Sequence, residues 1–460
     1  MKVIICGAGQ VGSNIAAYLS EEDNEVTLID TSAELISQVN ENLDVSGIVG
    51  FASHPDVLEE AGARDAELII AATHCDEVNM VACQVAHSIF NVPKKIARVR
   101  NQTYLDPLWA NLFSREHMPI DFVISPEVEV ADAILNRVKA PGAFNIIPIA
   151  EGRAQFASVI CQEDCPVINT AIRHIPSLFP DLNMKIVAII RGQKKIIPTS
   201  LDEMYPGDEV SFVTETEHLS RTLAAFGHEE GETRRIIIVG SGHIGLKLAE
   251  NIEKKSYTKD IRVRLIEADP ERAKYASENL ISAIVIHGDG LDRTILEEAK
   301  VDKSEAIITI TNHDETNVLT SLLAKEYGCK RAITLINNST YIPLVSSLGI
   351  DAVVNPRAIT VSTILQHIRR GRIKAAHSLR DGFAELIEIE ALETSAVVNT
   401  PLKLLKLPDD IVIAMILRGE EVIIPRNDTV ILPADHVIVI AAHDKIKKVE
   451  QIFTVRPEYF

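Results

Sequence analysis

The sequence predicts an α/β protein with two doubly wound, parallel-sheet (Rossmann-like) units, each followed by a small α+β module. Three observations carry this expectation. A glycine-rich loop occurs twice, as Gly7-Ala8-Gly9-Gln10-Val11-Gly12 and as Gly240-Ser241-Gly242-His243-Ile244-Gly245. Each loop follows an apolar strand (KVIIC, RIIIV), opens an amphipathic helix, and precedes a second strand ending in an acid, Asp30 or Glu267. The elements that follow also recur in order, which marks an internal duplication.

In the first copy, strand 2–6 leads into a helix from about 10 to 20, and strand 25–30 into a helix over roughly 32–41. Strand 45–49 precedes a helix around 54–62, and strand 67–73 a helix over roughly 75–90. Strand 95–100, a short helix and strand 121–125 follow. Near-continuous apolar strands separated by helical patterns indicate a parallel sheet covered on both faces. The second copy repeats this run. LEEA at 58–61 recurs at 296–299, Asp76-Glu77-Val78-Asn79 as Asp314-Glu315-Thr316-Asn317, and Thr103-Tyr104 as Thr340-Tyr341. Extra residues around 254–260 account for most of the change in spacing between copies.

Between the copies, roughly 143–225, short strands alternate with turns such as Pro206-Gly207. The tail repeats that pattern: Pro198 and Gly207-Asp208-Glu209-Val210 match Pro425 and Ala434-Asp435-His436-Val437. The expected organisation is a nucleotide-binding unit at 1–125 with a crossover helix to about 142, then a small module at 143–228. A second unit follows at 233–355, with a crossover helix to about 371, and a second module at 375–460. Residues 226–235 are polar and read as the linker between halves.

Composition narrows the function. A formal charge of −19 argues against a broad nucleic-acid or anionic-lipid surface. It would suit docking on a basic partner such as the cytoplasmic loops of a membrane protein. No apolar run reaches the roughly 20 residues needed to span a bilayer. Met1 leads straight into the first strand, leaving no room for a signal peptide, so a cytoplasmic location is expected. The six scattered cysteines are expected as buried or half-buried thiols, and no metal site is expected.

The loops have a physical use. Gly7 permits a tight turn, Gly9 lets the backbone approach a pyrophosphate, and Gly12 lets helix and strand pack. The helix start supplies unpaired N–H groups and the positive end of a dipole. Asp30, 18 residues past Gly12, can accept both ribose hydroxyls and would repel a 2′-phosphate, favouring NAD-type over NADP-type ligands; Glu267 stands in the same place. Thr73-His74 and Thr311-Asn312 follow the fourth strands, within reach of a ligand. Asp76 and Asp314 could touch ligand or cap the next helix. The crevices are not equivalent: Arg98 and Arg100 of the first face Leu335 and Asn337 in the second. A guanidinium there could grip phosphates or form a surface ion pair.

The loop CGAGQVG with LID downstream, the strand ELIIAATHCDEVNM and the strand ARVRN together resemble the TrkA family, the tandem RCK (KTN) subunits of bacterial Trk potassium-uptake systems. The resemblance covers essentially the whole chain. It implies dimers or tetramers forming a gating ring, docking to a TrkH/TrkG-type channel subunit at the cytoplasmic face of the inner membrane, and control of potassium uptake. It implies NAD(H) binding, with ATP and ADP as competing ligands. First-site contacts would be 7–12, Asp30, Thr73, His74 and Arg98; second-site contacts would be 240–245, Glu267, Thr311 and Asn312.

The alternative is an NAD-dependent oxidoreductase. No histidine recurs in matched settings: His74 aligns with Asn312, and His243 stands where Gln10 does. No Tyr-x-x-x-Lys pair or Gly-x-Ser-x-Gly elbow is present, and Gly-x-x-x-x-Gly-Lys-[Ser/Thr] is absent, which disfavours a Walker-type ATPase. No catalytic residue is assigned.

Overall fold

A computed structural model describes the chain except residues 22–23, 180–181, 230–232, 256–260, 369–372, 380–382, 406, 409 and 454–460. Parts of the expected linker (226–235), of the inserted stretch (254–260) and of the second crossover (to about 371) thus lie outside the described residues. The chain divides into two compact units, Met1–Val130 with Asn355–Ile368, and Ala131–Val354 with Arg369–Phe460.

The first unit is built on β1 (Lys2–Cys6), β2 (Glu25–Asp30), β3 (Ser46–Val49), β4 (Leu68–Ala71), β5 (Lys94–Arg98) and β6 (Phe122–Ile124). All are parallel and ordered β3-β2-β1-β4-β5-β6. The order reverses between β1 and β4, where an open α/β sheet leaves its ligand crevice. Val3–Cys6 and all of β4 are buried, because helices cover both faces. These helices are α1 (Gln10–Glu21), α2 (Ala33–Asn42), α3 (Pro55–Glu60) and α4 (Asp76–Ser88); α5 (Pro126–Lys139) starts within this unit.

The antiparallel module after α5 comprises β7 (Ala143–Ile149), β8 (Ala154–Ile160), β9 (Met184–Arg191), β10 (Lys194–Ile196) and β11 (Glu209–Glu215), in order β10-β9-β11-β8-β7. It carries α6 (Ile175–Leu178) and α7 (Leu219–Ala225). The residues read as a linker begin inside this core: Phe226 is fully buried and stacks on Phe212, with ring centroids 5.0 Å apart. His228 is buried with its Nε2 3.1 Å from the Ile160 carbonyl.

The second parallel sheet has β12 (Arg235–Val239), β13 (Arg262–Glu267), β14 (Ile284–His287), β15 (Ala306–Thr309), β16 (Ala332–Leu335) and β17 (Ala352–Val354). Its order, β14-β13-β12-β15-β16-β17, repeats the first. Its helices are α8 (His243–Lys255), α9 (Pro270–Asn279), α10 (Arg293–Glu298), α11 (Asp314–Glu326) and α12 (Ile342–Ser347). The next helix, α13 (Pro356–Ile368), belongs to the first unit. Its Ile364, Leu365 and Ile368 complete the core around Val3, Ile15 and Leu19. His367 stacks on Phe122 at 4.2 Å, and the Thr363 hydroxyl donates to Glu129.

The last module holds β18 (Ile373–Leu379), β19 (Ala384–Glu390), β20 (Ile411–Arg418), β21 (Glu421–Ile423), β22 (His436–Ala442) and α14 (Ile446–Phe453). Its strand order β18-β19-β22-β20-β21 is that of the earlier module. Strand β18 has no counterpart among the sequence expectations. The two modules share an apolar layer that includes Phe156, Val187 and Val213 with Leu386, Met415 and Ile440. The recurring aspartates are buried anchors: Asp208 accepts two bonds from Arg191 at 2.9 and 2.8 Å, and Asp435 two from Arg418 at 3.0 and 2.8 Å. Gly207 (φ 83°) sits where Ala434 (φ 65°) sits in the second module, so the same turn holds an alanine in the left-handed region.

Candidate functional site

The two glycine loops have one geometry. Gly7 (φ 108°) and Gly240 (φ 106°) lie against the backbone after the fourth strand, where a Cβ would stand 3.1 Å from the Ala72 carbonyl oxygen or 3.0 Å from that of Ile310. A Cβ on Gly12 would stand 1.9 Å from the Gly7 oxygen, and one on Gly245 2.0 Å from the Gly240 oxygen. These four positions admit no side chain. Gly9 and Gly242 are different, for nothing lies within 4 Å of a Cβ at either. The middle glycine of each loop borders open space at a helix start, where a pyrophosphate would lie. Ala8, Val11 and Ser241 are buried, Ile244 is half-buried, and Gln10 and His243 are exposed at the first helical position.

Each acid is already oriented by backbone. Asp30 Oδ2 accepts the Ala8 amide at 2.7 Å, and Oδ1 the Ser32 amide at 2.8 Å. Glu267 Oε2 accepts the Ser241 amide (2.6 Å) and hydroxyl (2.8 Å), and Oε1 the Asp269 amide (3.0 Å). Burial opposes the charge of Glu267, but these amides, the hydroxyl and nearby Arg272 hold its carboxyl below the usual value near 4.5. A carboxylate has about four lone-pair positions. Asp30 therefore keeps acceptor capacity for ribose hydroxyls, and Glu267 keeps less.

The Asp-Glu-x-Asn motifs are structural. Asp76 Oδ2 accepts the Arg100 and Asn101 amides, both at 2.9 Å; Asp314 accepts those of Asn337 and Asn338. Neither caps its own helix: the cap positions are Cys75 and His313, without side-chain cap bonds. Asn79, fully buried, accepts from the Thr73 amide and hydroxyl and donates to the Arg98 carbonyl; Asn317 does the same with Thr311 and Leu335. Tyr104 donates to Glu77 at 3.1 Å and Tyr341 to Glu315 at 3.2 Å, which accounts for the repeated Thr-Tyr pair. The motif thus ties the ends of the fourth and fifth strands together beneath the crevice. Thr73 and Thr311 face inward to these asparagines, while His74 and Asn312 are exposed at the rim.

The crevices diverge at the fifth strand. In the first, Arg98 Nε and Arg100 Nε are buried and have no hydrogen-bond partner among the described residues. Burial and then Arg100 push the Arg98 guanidinium down to about 10, against the opposing pull of Glu127 and Asp76. Two mutually repelling guanidiniums with unmet donors form a site receptive to an oxyanion. In the second crevice, Leu335 is buried in the corresponding place and Asn337 donates to Asp314. Sequence reasoning named Arg98 of this pair as a contact; Arg100 likewise has a buried Nε without a partner among the described residues, and its place two residues past Arg98, just beyond the end of β5, was the available signal. The residues of the first crevice fit a dinucleotide or nucleoside polyphosphate. Those of the second fit the ribose and backbone contacts without a fifth-strand cation.

Two family models each match the chain twice. The TrkA-N domain matches residues 3–126 and 236–356, and the TrkA-C domain matches 156–227 and 386–454. The chain belongs to the TrkA family. It is similar to the Trk system potassium uptake protein TrkA of Azorhizobium caulinodans, 48% identical over 460 residues with 100% of both chains covered. It is 37% identical to the protein of the same name from Halomonas elongata, again over 100% of each chain. The fold resembles the GsuK channel bound to NAD, with a TM-score of 0.60 at 17% identity, covering 98% of this chain and 78% of that one. This TrkA-family chain has no described helix long and apolar enough to cross a membrane, and no three described His, Cys, Asp or Glu residues group as metal ligands.

Proposed function

We propose that this chain is the nucleotide-sensing regulatory subunit of a Trk-type potassium uptake system, binding NAD(H) and ATP or ADP and making or breaking no bond in them. The observation that carries this reading is the pair of guanidinium nitrogens, Arg98 Nε and Arg100 Nε, left without a partner among the described residues, in a chain of the TrkA family whose glycine loop is open. In this reading the chain comprises a nucleotide unit and a small module, each twice, which the two matches of the TrkA-N domain and the two of the TrkA-C domain support. The subunit assembles as dimers or tetramers in a ring and docks on a TrkH/TrkG-type channel subunit from the cytoplasmic side of the inner membrane.

In the first crevice, Gly9 and the first-turn amides at Gln10 and Val11 would face the pyrophosphate, Asp30 the ribose, and Arg98 with Arg100 the outer phosphate charge. Thr73 and His74 would border the far side. In the second, residues 240–245, Glu267, Thr311 and Asn312 would take the corresponding places. Regulation requires that the occupied crevice prefer one state of the ring. Shifting a gate from one-tenth to nine-tenths open takes roughly 80-fold differential affinity, about 2.6 kcal/mol. The test is potassium flux through the cognate channel in liposomes, with and without this subunit and with NADH, NAD+, ATP or ADP. Nucleotide-dependent flux is expected; flux indifferent to the subunit under every condition overturns the reading.

A further inference from the structure

We infer that a cavity at the amino ends of the second parallel sheet is a further binding site, built for a small organic phosphate. It encloses about 450 Å³, within the roughly 300–1,000 Å³ usual for small-molecule sites. It lies wholly within the second compact unit. Thr233 stands before β12, Glu305 before β15, Arg331 before β16 and Asp351 before β17, so this wall is at the opposite end of the sheet from the glycine loop. The facing wall belongs to the first small module, with Gly142 and Phe144 at the start of β7 and Ile160 at the end of β8. His228 closes the corner. A Cβ on Gly142 (φ 92°) would stand 2.5 Å from the His228 Cβ, so glycine is required where the chain turns there.

The floor is cationic. Arg331 is buried, and its Nη1 and Nη2 donate to the Arg137 and Ala143 carbonyls at 2.8 and 2.6 Å. Behind it Arg137, equally buried, donates to the Phe144 and Ala133 carbonyls at 3.1 and 3.0 Å and to the Asn145 side-chain oxygen at 3.3 Å. All these acceptors are neutral, and burial followed by Arg331 pushes the Arg137 guanidinium down to about 10. A buried cation without a counter-charge is costly. Lys330, exposed at the rim, acts on Glu305 from beyond ion-pair distance and makes no side-chain hydrogen bond among the described residues.

The acids on the walls are already matched. Glu305 accepts the Arg234 and Arg235 amides at 2.6 and 2.8 Å and the Arg235 guanidinium at 2.7 Å. Asp351 accepts the Lys325 ammonium at 2.9 and 2.8 Å and the Ala332 amide at 2.7 Å. Among the described residues, Arg137 and Lys330 are therefore left as two positive charges without an acid of their own. A phosphate monoester carries nearly two negative charges at neutral pH, and several acceptor oxygens. Phe144, Ile160 and Ile350 offer apolar surface to the group esterified to it. The same count of charges disfavours a metal cation. A ligand here would touch the first small module, His228 and Thr233 of the connecting segment, and the second sheet at once, and so would tighten their packing.

The experiment is calorimetric titration and hydrogen-exchange mass spectrometry of the full-length protein with phenyl phosphate, inorganic phosphate and benzoate. Phenyl phosphate should bind and slow exchange at residues 142–144, 330–332 and 349–351. Benzoate keeps the ring with a single charge, and inorganic phosphate keeps the charge without the ring, so each should bind about tenfold more weakly. Lys330→Glu and Ile160→Glu should each weaken phenyl phosphate by more than about tenfold, and Lys330→Arg should retain it. Both side chains are exposed, so the melting temperature of the ligand-free variants should stay unchanged. Benzoate binding as tightly as phenyl phosphate overturns the phosphate assignment. Protection confined to residues 7–12 and 98–101, undiminished affinity in both glutamate variants, or no binding by the wild type overturns the site.

Discussion

The two parallel-sheet units share a scaffold and differ in what they hold out to a ligand. Glycine loop, terminal acid, buried asparagine and tyrosine–glutamate bond recur at matched positions. Arg98, Arg100, Val49 and Phe51 in the first crevice face Leu335, Asn337, His287 and Asp289 in the second. After duplication the glycine loops and the strand ties stayed alike, while the side chains at the ends of the third and fifth strands parted. Architecture and chemistry are therefore separable here, and substitutions can address one without the other.

The shared scaffold should give equal losses in both units. Gly12→Ala and Gly245→Ala each force a methyl onto a carbonyl oxygen, 1.9 and 2.0 Å away, in a turn that cannot yield without moving a strand. Each should cost more than about 3 kcal/mol, beyond ordinary overpacking, and abolish binding in its own crevice; differential scanning calorimetry and titration check this. Asn79→Ala and Asn317→Ala strand buried amides and carbonyls and should each cost about 2–3 kcal/mol. A markedly larger effect in one unit would break the equivalence.

The divergent parts should give unequal losses. Arg98→Leu installs the residue of the second crevice. It should weaken ATP and NADH at the first crevice about 10–30-fold, in line with about 1.5–2 kcal/mol for a charge-assisted contact. The ligand-free melting temperature should not fall, because the change removes a repelling guanidinium with an unmet donor. A loss of stability with unchanged affinity would make Arg98 structural.

A fourth test uses pH. The folded-state carboxyl of Glu267 lies below its usual value near 4.5, so its stabilising contribution is complete above that value and is lost as pH falls below it. Glu267→Gln should flatten the acid-side fall of the second unit's melting temperature below about pH 4.5, and an unaltered profile would refute the assignment. The smallest effect compares the two small modules: Ala434→Gly should relieve the left-handed alanine and stabilise by about 0.5–1 kcal/mol, whereas Gly207→Ala should destabilise by a similar amount.

Much of this was legible in the sequence. The loops, the positions of the parallel strands and the terminal acids follow from glycine spacing and apolar runs, because steric demands on a backbone turn leave few alternatives. The roles of Asp76 and Asn79 were not, since a polar residue at a helix start reads equally as cap, ligand contact or strand tie until its partner's backbone is located. Strand β18 was missed because IKAAHSL has small residues where a strand usually shows large alternating ones. The destination of α13 was also hidden: its amphipathic pattern says that one face is buried, not against which sheet.

That destination has a consequence for biosynthesis. The ribosome finishes the first six strands more than 200 residues before it makes Ile364, Leu365 and Ile368, which fill the core around Val3, Ile15 and Leu19. Until then a nascent chain carries an uncapped oily patch and depends on chaperones or slow provisional packing. A gene fragment ending near residue 140 should therefore yield a sticky product, however complete its sheet looks on paper.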